Sequence, residues 1–505
     1  MNTMNVKINE NAVSEKLNKA NSIEEFYANT GILVTGATGF VGKGILEKLI
    51  RVCPSIAAIF ILMRPKKNQT IKQRFKKLID DPIYDSVRVK HPSVLNRIHP
   101  VHGDVSLPNL DLSPENRIML IEKVNIVFHI AATVKFNEPL NVAVNINTAG
   151  TARIIQLCKE LKHVISITYV STAYSNANLS EIGEKVYTSS FETSMVIDIC
   201  EKGDKTLINL FEKKILKIYP NTYTFSKNLA EQIVSSNSDS LPIAIVRPSI
   251  IGASIENPCL GWLDNIYGVT AIFMTVGMGI TKVIPAKENA SVDLVPIDFV
   301  VDTILCAAWH VTLRPNNEVK VYNCTNDGRP LKWGQMINIA VKCNREMPMN
   351  KVFWYPCCFL VANRYVYNVL NIFLHILPAF VVDMYLKLSD KTPIMVKGSK
   401  RFNELVANAQ YFSMNEWTFH GDNVRKMMVD VETLKDSEIV KLNRDVDWER
   451  YITIYMAGIE KFILKEKFKS IDASRQRLSV LYWIHQIIQI FGKIAILAII
   501  LYTIY

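Results

Sequence analysis

The sequence predicts an α/β protein: a doubly wound parallel sheet, then a smaller, mainly helical C-terminal domain and a C-terminal membrane segment. Three observations carry this. Short apolar runs alternate with longer mixed segments from residue 31 to about 250. The first run ends in three glycines that open a helical segment. Beyond about residue 345 the β/α alternation gives way to long stretches dense in Phe, Tyr, Leu and Val, and the chain closes on a hydrophobic run.

The runs GILVTG, AAIFILM, VNIVFHIAA, HVISITYVS and PIAIVRPSI are rich in Val and Ile. Strands of that kind are buried on both faces, as in parallel sheets. Parallel neighbours need a crossover connection, and the segments between the runs are long enough for helices, one over 42–49 and another over 149–162. The segment 353–388 contains Pro356 and Pro378 and is not a clean membrane span. It reads either as helices with a lipophilic face or as an ordinary helical core. Residues 423–462 look like amphipathic helices. The expected division is a polar tail over 1–29, a cofactor-binding catalytic domain over 30–345, a helical domain over 346–460, a basic linker over 461–477 and a hydrophobic anchor over 478–505.

Composition narrows the class. The 505 residues are two to three domains' worth, and 49% are hydrophobic, so a large core can be buried. The nine cysteines are scattered, without zinc or redox spacing, which fits a reducing compartment and suggests no metal site. A net charge of +11 suits nucleic acid, a membrane surface, an anionic ligand or a merely solvated basic face. No nucleic-acid motif is visible, so nucleic acid is not expected as a partner. The N-terminus lacks the apolar core of a signal peptide.

The terminal run LSVLYWIHQIIQIFGKIAILAIILYTIY would make a helix about 42 Å long, against a hydrocarbon core of about 30 Å. His485, Gln486, Gln489 and Lys493 are costly in lipid. A tilted span, a short hairpin, an interfacial helix with a shorter insertion, and a buried terminal helix all stay open. The Lys- and Arg-rich stretch before it places the body on the cytosolic side.

The glycines Gly36, Gly39 and Gly42 lie in TGATGFVGKGILEKL, between a predicted strand and a predicted helix. There one glycine makes the tight turn, one lets backbone approach a pyrophosphate and one packs helix on strand. The helix N-terminus then offers unpaired N–H groups to phosphate. This is a Rossmann dinucleotide site. The second strand ends in Arg64-Pro65-Lys66-Lys67, where an NAD-selective site would hold an acid for the ribose. Cations suit a 2′-phosphate, so NADPH is the expected cofactor. Asp104, in Gly103-Asp104-Val105, can accept from the adenine amino group, though Gly-Asp is also ordinary turn chemistry.

Tyr223 and Lys227 stand four apart in NTYTFSKNLAE and share one helix face. The ammonium is expected to lower the phenol's pKa, making Tyr223 a proton donor to an oxygen left negative by hydride addition. A hydroxyl from Ser171 or Thr172, at a predicted strand end, can stabilise that oxygen; Thr172 is favoured.

Together these segments resemble the extended short-chain dehydrogenase/reductase superfamily, and within it the alcohol-forming fatty acyl-CoA reductases. TGATGFVG, RPKK, HIAATVKF, YVSTAYSN, YTFSKNLAE and VRPSIIGAS are similar to that family's blocks, and GWLDNIYG at 261–268 is the most discriminating. YNCTN, NEWTFHGDN and VDWERYI are similar to its C-terminal part, so the resemblance covers about residues 30–458. It implies an extended short-chain dehydrogenase/reductase fold and a cofactor site made by Thr35, Gly36, Thr38, Gly39, Phe40, Val41, Gly42, Arg64, Lys66, Asp104, Val105, Ala131, Ala132 and Lys227. It implies Thr172, Tyr223 and Lys227 as the catalytic set, with Ser171 as the alternative hydroxyl and Asn147 as a structural or relay position. Substrate contacts would come from Gly261, Trp262 and Asn265. The implied activity is NADPH-dependent reduction of long-chain fatty acyl-CoA to primary alcohol through an aldehyde. The implied setting is an endoplasmic reticulum or peroxisomal membrane; homo-oligomerisation stays open. The rival readings are an extended reductase or epimerase acting on a sterol or nucleotide sugar, and a non-catalytic membrane-tethered NADPH-binding scaffold.

Overall fold

The computed structural model describes residues 20–66, 68–313, 319–326, 330–442, 445–465 and 471–504. Most of the expected N-terminal tail, Lys67 and part of the expected basic linker therefore lie outside the described residues.

Seven strands form one parallel sheet: β1 (Gly31–Thr35), β2 (Ala58–Met63), β3 (Ile98–His102), β4 (Ile126–His129), β5 (Ser166–Val170), β6 (Ile243–Pro248) and β7 (Lys320–Cys324). Their order is β7-β6-β5-β4-β1-β2-β3, so the direction of winding reverses between β1 and β4. Ligands bind outside the carboxyl ends of strands at such a reversal. The five apolar runs of the sequence supply β1, β2, β4, β5 and β6, all fully buried. The other two are the sheet's edges. In β3 the pattern is mixed and Pro100 breaks the ladder, which only an edge strand tolerates.

Four helices on this body matter for the site. They are α1 (Phe40–Val52), α2 (Gly150–Glu160), α3 (Thr222–Ser235) and α4 (Ile297–His310). Helix α3 is buried along most of its length, with polar residues among those buried. Buried polar groups need partners, and the packing of α3 supplies them.

The C-terminal part is mainly helical: α5 (Trp333–Glu346), α6 (Arg364–Leu388), α7 (Met395–Met414), α8 (Asp422–Glu432), α9 (Trp448–Gly458) and α10 (Ile471–Ile504). It folds back on the sheet domain. Thr418–Phe419 pairs with Glu181–Ile182, and Asp436 caps the N-terminal helix Ile23–Tyr27 through the Ile23 and Glu24 N–H groups. Helix α6 corrects the reading of 353–388. Pro378 does not break it, because a π-turn at Ile372–Ile376 widens the helix just ahead of the proline and absorbs its missing N–H. Among the described residues α6 is long and apolar enough to cross a membrane, by length and composition. Helix α10 is unbroken over 34 residues, so the terminal run is not a hairpin.

Candidate active site

The glycine turn closes directly over the sheet reversal. Gly36 has φ +74°, and a Cβ there would sit 2.8 Å from the Ala131 nitrogen. A Cβ on Gly42 would lie 2.3 Å from the Gly36 carbonyl oxygen and 2.7 Å from the Ala37 Cα. A side chain at either position would collide with backbone, that of the loop after β4 at Gly36 and that of the turn itself at Gly42. Gly39 caps α1 without any side-chain hydrogen bond, so the first-turn N–H groups remain available to an anion. Phe40 and Val41 begin the helix, half-buried. Thr35 plays a different part. It is fully buried, its Oγ1 accepts from the Ile130 and Ala131 N–H groups at 3.1 and 3.2 Å, and it pairs with His129 Nδ1 at 2.8 Å. It ties the end of β1 to the loop carrying Ala131 and Ala132. This cradle fits a dinucleotide pyrophosphate.

Basic groups gather beyond the end of β2. Arg64 is mostly exposed and its Nη1 meets Asp104 Oδ2 at 3.2 Å, while Lys66 is exposed beside it. Burial alone would raise the Asp104 carboxyl. The Ser106 N–H and hydroxyl, with the Arg64 guanidinium, hold it below its ordinary value. Val105 is buried, and its carbonyl accepts from Arg153 at 2.9 Å. Arg74 completes the group. From the helix Ile71–Ile79 it donates to the Arg64 carbonyl and, at 3.3 Å, to Thr38 Oγ1. Burial and the neighbouring Arg64 lower its pKa. Sequence reasoning missed Arg74, since nothing in IKQRFKKLI distinguishes it from the other cations of an exposed helix.

The polar groups of α3 converge on the end of β5. Lys227 is buried and donates from Nζ to the Val170 carbonyl at 2.8 Å, with Nζ 4.7 Å from the Tyr169 ring centroid. Tyr223, half-buried, has the Thr172 hydroxyl beside it, which favours its phenolate. The Thr172 hydroxyl accepts from the Tyr174 N–H at 3.3 Å, which fixes its turn, and donates to the Pro248 carbonyl at 3.5 Å. Ser171 points elsewhere. Its hydroxyl donates to Glu231 Oε1 at 2.5 Å, inside a fully buried pair of Glu231 with Arg247. Asn147 clasps the loop after β4: its Oδ1 accepts from the Thr133 N–H at 2.9 Å, and its Nδ2 donates to the Thr133 carbonyl and to Ser226 Oγ.

The titration expected from the Tyr–Lys spacing is not what the packing produces. Burial pushes the Tyr223 phenol up to about 12, opposed by the hydrogen bond with Thr172. Burial also brings Lys227 down to about 7, opposed by the Glu231 carboxylate. An ammonium half-discharged at neutral pH, and already donating to a carbonyl, has little charge to lend the phenol.

An aromatic wall stands over Tyr223. Phe136 stacks on it at 5.9 Å, Phe412 lies 5.3 Å from Phe136, and Tyr174 meets Phe412 and Trp417 at 5.0 and 5.3 Å. Phe412 is near the end of α7 and Trp417 follows it, so the helical part walls the side of the sheet domain that carries Tyr223. Sequence reasoning missed these residues because they lie about 190 positions from Tyr223. The segment around Gly261 is placed differently. Gly261 (φ +70°) abuts α9, where a Cβ would meet the Ile454 carbonyl oxygen at 2.6 Å. Trp262 is buried against Phe40 at 4.9 Å. Asn265 turns onto its neighbours Asp264 and Tyr267. The segment therefore braces the start of α1 against the helical part, and none of its polar contacts reaches Tyr223.

Two family models match the chain, both described as male sterility protein: an NAD-binding one over residues 34–304 and a second, termed Sterile, over 374–466. The chain is 36% identical to Fatty acyl-CoA reductase 1 of Mus musculus over 462 residues, covering 91% of this chain and 90% of that protein. It is 33% identical to Fatty acyl-CoA reductase wat of Drosophila melanogaster over 465 residues, covering 92% and 90%. Among solved structures, the terminal R domain from the myxalamid PKS-NRPS biosynthetic pathway aligns with a TM-score of 0.58 at 18% identity, covering 86% of this chain and 91% of that one. The reductase domain of a nonribosomal peptide synthetase from Mycobacterium tuberculosis aligns with 0.55 at 17%, covering 90% and 96%. These two likenesses concern the fold.

Proposed function

The chain belongs to the fatty acyl-CoA reductase family and is an oxidoreductase with a nicotinamide-binding domain, and from that premise we propose that it reduces long-chain fatty acyl-CoA to the primary alcohol with NADPH, through an aldehyde. One observation carries the reading. Thr172, at the end of β5, lies beside Tyr223, with Lys227 on the same helix as Tyr223, next to a glycine cradle and beneath an aromatic wall.

The bound cofactor supplies hydride. Gly36, Gly39, Gly42 and the first turn of α1 would hold its pyrophosphate. Arg64, Lys66 and Arg74 would take the 2′-phosphate, and Asp104 the adenine. The side chains do the rest. Thr172 and Tyr223 hold the thioester oxygen as it becomes negative, and the tetrahedral centre collapses with loss of the CoA thiolate. With a second equivalent of NADPH supplying the second hydride, the aldehyde oxygen occupies the same place and Tyr223 hands the resulting alkoxide the proton that makes the alcohol. A phenol held near 12 stays protonated at neutral pH and can donate to an alkoxide, a far stronger base. The apolar acyl chain runs along the aromatic wall. Helix α10 anchors the body at the cytosolic face of an endoplasmic reticulum or peroxisomal membrane, where substrate and product partition.

The test is product analysis after incubating the full-length, membrane-borne protein with palmitoyl-CoA and NADPH. Fatty alcohol is expected, and none from Tyr223→Phe. Aldehyde as the sole product would end the reaction after one hydride. No product over a range of chain lengths would overturn the proposal.

A further inference from the structure

We infer that α6 and α7 form a helical hairpin that lies in the near leaflet of an anionic bilayer, entering and leaving on the side of the catalytic body, as a second lipid contact separate from α10. The occupant proposed for its exposed face is the headgroup and upper acyl region of that leaflet.

Both ends of the hairpin return to the same body, the end of α7 through Ser413, whose hydroxyl donates to the Pro285 carbonyl at 2.6 Å. Ahead of α6, Phe359–Leu360 pairs with Val283–Ile284. Along its first half, Tyr367 is buried with Val283 and Val406, and Leu370 and Leu374 pack on that cluster. His375 accepts from the Lys282 N–H at 2.8 Å. The second half has no buried residue. Val366, Val369, Phe373, Phe380, Val381 and Tyr385 are all exposed. No isolated soluble surface favours so large an apolar face.

The geometry argues against a crossing. At the tip the chain reverses, and Asp383 accepts from the Ile394, Met395 and Val396 N–H groups, closing the turn into α7. If α6 crossed the bilayer, α7 would have to cross back to bring Phe412 to the catalytic wall. It carries Lys397, Lys400, Arg401 and Glu404, which hydrocarbon would not accept. Around the tip, Lys387, Lys391, Lys397, Lys400 and Arg401 are all exposed, against the three acids Asp383, Asp390 and Glu404. A basic collar beside an exposed apolar face is the pattern of an interfacial element on anionic lipid. The element is continuous with α10: Lys282 donates to the Tyr355 carbonyl as well as holding His375, and Tyr355 stacks on His485 of α10 at 5.6 Å.

The experiment uses the full chain added to sealed vesicles of phosphatidylcholine and phosphatidylserine that carry a lipid with a diazirine in its acyl chain. Peptides from α6 should crosslink as well as peptides from α10. A membrane-impermeant amine reagent outside the vesicles should label Lys391 without lysis. Omitting phosphatidylserine should weaken the α6 crosslinks. Phe373→Glu with Phe380→Glu should abolish them while the α10 crosslinks persist. Crosslinks confined to α10 would overturn the inference. So would labelling of Lys391 only after lysis, which would mean that α6 spans, and so would indifference to phosphatidylserine. These readouts record lipid contact, so they stand or fall independently of the reaction proposed above.

Discussion

Arg247 and Glu231 form a fully buried, two-pronged ion pair, Nε to Oε1 at 2.8 Å and Nη2 to Oε2 at 2.6 Å, and Ser171 and Ser175 both donate to the same Oε1. The pair links β6 to α3, the helix that carries Tyr223 and Lys227. It also engages the Ser171 hydroxyl, which the proposed mechanism leaves out. Breaking a buried pair by deleting one partner typically costs about 3–5 kcal/mol, because the other charge is left unsolvated. Arg247→Met should lower stability by that order in denaturant titrations, and Ser171→Ala by about 1 kcal/mol while keeping kcat within a few-fold. Thr172→Ala should do the opposite, with stability nearly unchanged and kcat down by about 100-fold. If Ser171→Ala carries the larger loss of kcat, the two hydroxyls have been assigned the wrong way round.

Tyr223→Phe removes one oxygen and keeps the ring that stacks on Phe136. The expected result is a fall in alcohol formation of about 100- to 10,000-fold with an unchanged melting temperature. Activity near that of the parent protein would exclude Tyr223 as proton donor.

Lys227 gives a pH signature. Its folded pKa of about 7 lies below the ordinary Lys value because burial penalises the ammonium. The unfolded chain therefore holds the extra proton from about pH 7 up to about 10.4, and stability should rise with pH across that window. Lys227→Met should flatten the rise. At pH 7.5 the free protein holds Lys227 mostly neutral, and an anionic dinucleotide beside it favours the ammonium. NADPH binding at that pH should then take up a proton, seen calorimetrically as a dependence of the heat on buffer ionisation enthalpy. Lys227→Met with the same buffer dependence would mean that the proton goes elsewhere.

Cofactor choice should rest on two arginines. Arg64→Ala and Arg74→Ala should each reduce the preference for NADPH over NADH by about tenfold, the size of one hydrogen bond to a charged group. Arg74 also holds the Arg64 carbonyl and Thr38, so the informative quantity is the ratio of kcat/KM for the two cofactors. An equal loss with both cofactors would make Arg74 a purely structural residue.

The sheet and the cofactor turn were legible in the sequence because they are written in local pattern. Unbroken Val and Ile runs mark buried parallel strands, and glycines at fixed offsets mark a tight turn, which at Gly36 and Gly42 leaves no room for a Cβ. The spacing of Tyr223 and Lys227 placed them on one helix face for the same reason. Tertiary structure decided what depends on distant partners. Ser171 and Thr172 are adjacent, and only the buried Glu231–Arg247 pair and the position of Tyr223 separate their roles. Arg74, on the helix Ile71–Ile79, and Phe412 and Trp417, at and just after the end of α7, reach the site only through tertiary packing that no local periodicity records. The direction of the Tyr223 and Lys227 shifts was set by desolvation, which depends on everything packed around a group and not on the four residues between them. The same holds for α6, whose proline reads as a break until the π-turn before it is seen.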